Sequence, residues 1–154
     1  MIPEFQTLTD QETELMLRAP ILVCILIAGA DGEIDRKEVK EAISIVQKQK
    51  RNGSVLSGFF KVMAEDFEDK IKILIQSYPY EASKRTPMLV EELQHLNPLW
   101  RKLDPEFSIA YYEMLKSISE KIASSSGGLW GIKTVASEEA EYLHLPMIND
   151  PAKK

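Results

Sequence analysis

The sequence predicts an all-α protein, a single domain folded as a compact bundle of about seven helices. Three observations carry that prediction. Apolar residues recur at helical spacing along the chain, and long alternating strand patterns are missing. Helix-start signals stand before the apolar stripes, at Thr9-x-x-Glu12, Asp35, Asp66, Thr86-Pro87, Asp104-Pro105 and Ser137. A chain of 154 residues with 44% apolar and 28% charged content can bury a normal core without disulfides, and no shift in composition marks a second domain within 1–154.

The first helix opens on the capping box Thr9-x-x-Glu12, in which hydroxyl and carboxylate each accept a backbone N–H, and reaches about Ala30. Pro20 lies inside it, removing a donor and crowding the preceding turn, so a kink is expected there. Beyond Pro20 the run Ile21, Leu22, Val23, Ile25, Leu26, Ile27 leaves no polar face, which marks a central, buried helix. The second helix follows Asp35, buries Val39, Ala42, Ile43 and Val46, and stops at Asn52-Gly53. The third, from about Ser54 to Met63, turns Val55, Phe59 and Val62 inward. The fourth follows Asp66, carries Phe67, Ile71, Leu74, Ile75 and Tyr78 on one stripe, and closes at Pro79. Thr86-Pro87 reads as the cap and first helical position of the fifth, which ends near Asn97-Pro98 with Trp100 packing on the turn. Asp104-Pro105 repeats that signal for the sixth, which presents Phe107, Tyr111, Met114, Leu115, Ile118 and Ile122 and runs into a flexible loop, Ser124-Ser125-Ser126-Gly127-Gly128. Ser137 caps the last helix, Glu138 to about Leu145, and Pro146 ends it; the tail over 146–154 is expected to fray.

A net charge of -5 argues against nucleic acid as the main partner, because such binding depends on cations facing phosphates. The small cluster Lys48, Lys50, Arg51 reads as a solvated helix end that suits the dipole. Cys24 is the single cysteine and lies in an apolar run, so it reads as a packed thiol in a reducing compartment. The longest apolar stretch, Pro20 to Ala28, is far short of the roughly 20 residues that span a bilayer. No basic segment followed by an apolar one marks the N-terminus as a signal peptide, and a cytoplasmic location is expected.

The segment with the most chemistry is Ala30-Asp31-Gly32-Glu33-Ile34-Asp35-Arg36-Lys37-Glu38, where four carboxylates fall within eight residues. Calcium or magnesium would want such oxygen ligands, and zinc less so. Asp31-Gly32-x5-Glu38 matches the last part of an EF-hand loop, but the earlier ligand positions fall on Ile27 and Gly29, so a true EF-hand is excluded. A structural reading competes. Asp35-x-x-Glu38 caps the second helix, Gly32 supplies the turn, and exposed like charges about 4 Å apart repel by only about 1 kcal/mol in water, so no cation is required.

A second loop, Gly127-Gly128-Leu129-Trp130-Gly131, precedes Val135 and Ser137-Glu138-Glu139, and the apolar-x-x-x-Glu pattern here echoes Ile34 to Glu38. The echo suggests two helix-loop-helix units related by an approximate two-fold. Together the two loops resemble the TerB-like family associated with tellurite resistance, in which Ala-Asp-Gly, an apolar residue and a helix glutamate are met by Ala30, Asp31, Gly32, Ile34 and Glu38. The resemblance implies a pseudo-symmetric helical bundle, a link to stress and tellurite resistance, and divalent-metal binding through loop acids. The candidate metal ligands are then Asp31, Asp35 and Glu38, joined by Glu139 if the two loops converge. The second loop departs from the pattern, with Lys133 and Thr134 where the first has Asp31 and Gly32, which disfavours a second equivalent site.

Other candidates are sparse. Glu91-Glu92-x-x-His95 places a carboxylate and an imidazole one turn apart, a ligand pair or a surface contact. His144 lies at the last helix end, where it caps carbonyls or stays exposed. The two histidines lack HxxxH spacing, the serine run has no nucleophile-elbow context, and no P-loop or dinucleotide fingerprint is present. Trp130 between glycines either pins its loop to the bundle or anchors a partner. These readings converge on a non-enzymatic domain that works by association with protein partners or with itself, tuned by a divalent ion and using no organic cofactor. The alternatives are a metal-dependent hydrolase using the same acids, or a purely structural acidic turn.

Overall fold

A helical run with no polar face has to lie at the centre of its molecule, and in the computed structural model of this chain the second half of α1 (Asp10–Ala28), beyond Pro20, does so. Every residue from Ile21 to Ile27 is at most 1% exposed. The structure describes residues 3–28, 37, 39–41, 43–44, 48, 55–128 and 142–153. Among these the fold is all-α: α2 (Ser57–Glu65), α3 (Phe67–Ser77), α4 (Ala82–Gln94) and α5 (Pro105–Gly128) follow α1, with 3-10 segments at Pro3–Phe5 and Asn97–Lys102 and no strand. Helical residues at 37, 39–41, 43–44 and 48 fall within the expected second helix, and Val39 and Ile43 are buried as its inward face. Lys40 ties that segment to α3 through Glu68. α5, α4 and α3 all pack against α1.

The start of α1 is the capping box expected from sequence. The Thr9 N–H donates to Glu12 Oε1 at 2.9 Å, and the Glu12 N–H to Thr9 Oγ1 at 3.1 Å. Pro20 does not end the helix. It has no N–H for the Met16 carbonyl one turn back, and a buried carbonyl without a donor costs about 1–3 kcal/mol. The Tyr111 hydroxyl, reaching in from α5, donates to that oxygen at 2.6 Å. The Tyr111 ring meets Phe59 edge-on at 5.4 Å, Trp100 edge-on at 6.1 Å and Phe107 stacked at 6.1 Å, so its hydroxyl is held where it is needed. The inward stripe of α5 is as expected: Phe107, Tyr111, Met114, Leu115, Ile118 and Ile122 are all fully buried.

Four boundaries differ from expectation. α2 starts at Ser57, not near Ser54. α4 begins at Ala82, before Thr86-Pro87: the N–H groups of Lys84 and Arg85 already donate to the Glu81 carbonyl at 3.0 and 2.9 Å. The cause is the reach of one side chain into the turn before it. Arg85 is 2% exposed and donates to the carbonyls of Pro79 and Tyr80, drawing the helix start back onto the α3–α4 turn. The carbonyl that Pro87 leaves without a donor belongs to Ser83, an exposed residue that water can serve. α5 continues through Ser124 to Gly128 where a flexible loop was expected, since serine is only a mild helix breaker and two glycines cost about 1 kcal/mol each.

The tail is the fourth difference. The helical residue Tyr142 gives way to a turn, and Leu145 takes a left-handed conformation (φ 52°) while fully buried. Burial of its side chain offsets a backbone strain of about 1–2 kcal/mol. Met147 and Ile148 are buried too, so the segment expected to fray is packed down. Asn97 fastens it: its Nδ2 donates to the Met147 carbonyl at 3.1 Å and its Oδ1 accepts the Asn149 N–H at 2.7 Å. Trp100 Nε1 donates to the Asn149 carbonyl at 2.8 Å.

Candidate functional site

The acidic loop that dominated the sequence reading lies outside the described residues. Asp31, Glu33, Asp35, Glu38, Trp130 and Glu139 all fall there, and with them the convergence of the two loops. Among the described residues, no group of three or more His, Cys, Asp or Glu side chains is arranged to hold a metal ion.

Between α1 and α4 lies a groove with a volume of about 540 Å³. That is within the range of about 300–1,000 Å³ common for binding sites. One wall is the polar stripe of α1, where Gln11, Glu12 and Arg18 flank Leu15 at helical spacing. The other is α4 and its C-terminal cap, with Met88, the pair Glu91 and Glu92, and His95 at successive turns. Pro98 and Leu99 of the second 3-10 segment complete the lining. Leu15 and Leu99 are buried and give the groove an apolar base, while Met88 is 44% exposed at its edge.

The walls are braced by charge pairs. Arg18 pairs with Glu92 Oε1, and the Tyr78 hydroxyl donates to Glu92 Oε2 at 3.3 Å. Desolvation first, and then the negative charge of Glu92, pushes the Tyr78 phenol up to about 12, so it stays a donor. Lys102 grips both oxygens of Glu12, at 3.0 and 2.8 Å. That bond and the Thr9 N–H hold the Glu12 carboxyl below its ordinary value. Two of the three groove carboxylates, Glu12 and Glu92, thus have a cationic partner. Glu91 has none among the described residues.

A second hollow of about 290 Å³ gathers Glu65, Asp66, Glu68 and Asp69 beside Ile43 and Phe67. Glu68 and Asp69 occupy the first turn of α3, where acids complement the helix dipole, and Glu68 is already engaged by Lys40. This arrangement is accounted for by the helix itself.

Cys24 is fully buried, and desolvation pushes its thiol well up, the opposite of an activated nucleophile. His144 is exposed, one of the two outcomes expected for it, and so is His95, which lines the groove. The sequence reads Glu91 and His95 as a ligand pair or a surface contact; their position on a groove wall is not legible there. The available signal was Met88, an apolar residue set on the polar face of a helix. Among the described residues no helix is long and apolar enough to cross a membrane.

No family model matches this chain, and comparison with curated proteins and with solved structures likewise finds no match. The TerB-like resemblance therefore rests on the loop residues themselves.

Proposed function

We propose that this chain is a non-enzymatic helical domain, TerB-like and cytoplasmic, that acts by binding another protein in the groove between α1 and α4. The observation that carries the reading is Met88. A large flexible apolar side chain stays 44% exposed in the lining of a groove that also contains buried Leu15 and Leu99, which suits a helix-in-groove anchor site. The free, buried Cys24 suits a reducing compartment, and the net charge of -5 favours a protein over a nucleic-acid partner.

An unbiased peptide-display selection against the immobilised protein tests this. Binders retained by the wild type and lost on Met88→Asp support it. Failure to select any binder, or binders indifferent to Met88→Asp, counts against it.

A second reading, favoured by four carboxylates in eight residues, is a calcium or magnesium ion held by Asp31, Asp35, Glu38 and Glu139. Calorimetric titration with each ion decides it: heat that disappears in Asp31→Asn and Asp35→Asn supports the site, and no heat in the wild type removes it. Metal-assisted hydrolysis at the same acids depends on that ion and falls with it. Any tie to tellurite or stress resistance stands on the family resemblance alone.

A further inference from the structure

We infer that the occupant of the α1–α4 groove is a short, basic, amphipathic helix of a partner protein, which sets apolar side chains on Leu15, Met88 and Leu99 and a lysine or arginine on Glu91. This rests on the association reading above and deepens it by naming the partner's chemistry.

Dimensions come first. The lining runs from Gln11 to Arg18 on α1 and from Met88 to His95 on α4. At 1.5 Å per residue each wall is about 10 Å long, two helical turns, which accommodates apolar anchors one turn apart on a bound helix. Surface character is second. Buried Leu15 and Leu99 are fixed in place, while unbranched Met88 can adapt to whatever lies over it.

Charge selects among occupants. The groove's own cation, Arg18, is engaged by Glu92, and neighbouring Lys102 by Glu12, so an acidic segment finds its cationic partners already taken. Glu91 is exposed and has no ion pair among the described residues, so a cation placed there gains a partner without breaking one. A second copy of this chain is the weaker occupant, because both molecules would carry a charge of -5.

The test uses the full chain and a pair of synthetic peptides of about ten residues. Both carry two leucines one turn apart; one is flanked by lysines, the other by glutamates. Affinities are measured by fluorescence anisotropy at low and high salt. The lysine peptide is expected to bind about tenfold tighter than its twin, with the advantage shrinking in salt. Glu91→Lys should erase or reverse that preference, and Met88→Asp should weaken both peptides about tenfold. Both side chains are exposed, so circular dichroism should show unchanged helicity in each variant. Equal binding of the twins overturns the basic occupant and leaves the association reading standing. Binding indifferent to both substitutions places the peptide elsewhere and overturns the inference. No binding by either peptide overturns it also, and the association reading is then judged by the display selection, which presupposes no charge.

Discussion

The hydroxyl of Tyr111 supplies the hydrogen bond that Pro20 withholds from the carbonyl of Met16. The two residues lie on different helices, yet one side chain completes the backbone of the other's helix at the centre of the molecule. Tyr111→Phe removes the donor and keeps the ring, and should destabilise the fold by about 1–3 kcal/mol. Pro20→Ala restores an N–H to the same carbonyl, so Tyr111→Phe should cost distinctly less in that background. A double-mutant cycle by urea denaturation measures the coupling. Equal losses in both backgrounds would mean that the Tyr111 hydroxyl does not serve this carbonyl.

Asn97 is expected to hold the tail. Asn97→Ala deletes two hydrogen bonds and should cost about 1–3 kcal/mol. Hydrogen exchange gives a local readout: the Asn149 amide should lose protection in the variant while amides of α5 keep theirs. Unchanged protection at Asn149 would contradict the fastening.

The Cys24 thiol should be inert in the native protein. Burial raises its pKa, and nothing reaches it from solvent. A disulfide reagent such as Ellman's is expected to react only on the timescale of unfolding and promptly in denaturant. Rapid native-state labelling would show that α1 is not the closed centre described.

Much of this architecture is legible in the sequence because its causes are local. The Thr9–Glu12 box, the apolar sweep of α1 and the inward stripe of α5 are each set within one segment. What escaped the sequence depends on side chains that reach beyond their own element. The early start of α4 follows Arg85 reaching the preceding turn, and the tail is packed because Asn97 and Trp100 meet residues about fifty positions on. The groove is assembled from stripes that Arg18 and Glu92 join across 74 positions, and no local pattern announces that. The acidic loop was conspicuous because it is local, and its residues lie outside the described set.

Acid should weaken the Glu12 clasp. With its carboxyl held below the ordinary 4.5 by Lys102 and the Thr9 N–H, Glu12 contributes fully above that value. The contribution is lost as pH falls through the lower, folded-state value. Glu12→Gln should therefore flatten the acid side of the stability profile, and Lys102→Met should do the same. A slope unchanged in both would remove the clasp from the account.

Methyl-labelled methionine NMR tests the groove most directly. Met88 is 44% exposed, whereas Met16, Met63, Met114 and Met147 are buried. On addition of the lysine-flanked peptide, the Met88 methyl resonance should shift and saturate while the buried four stay in place. Peptide binding that leaves Met88 unmoved would contradict the account.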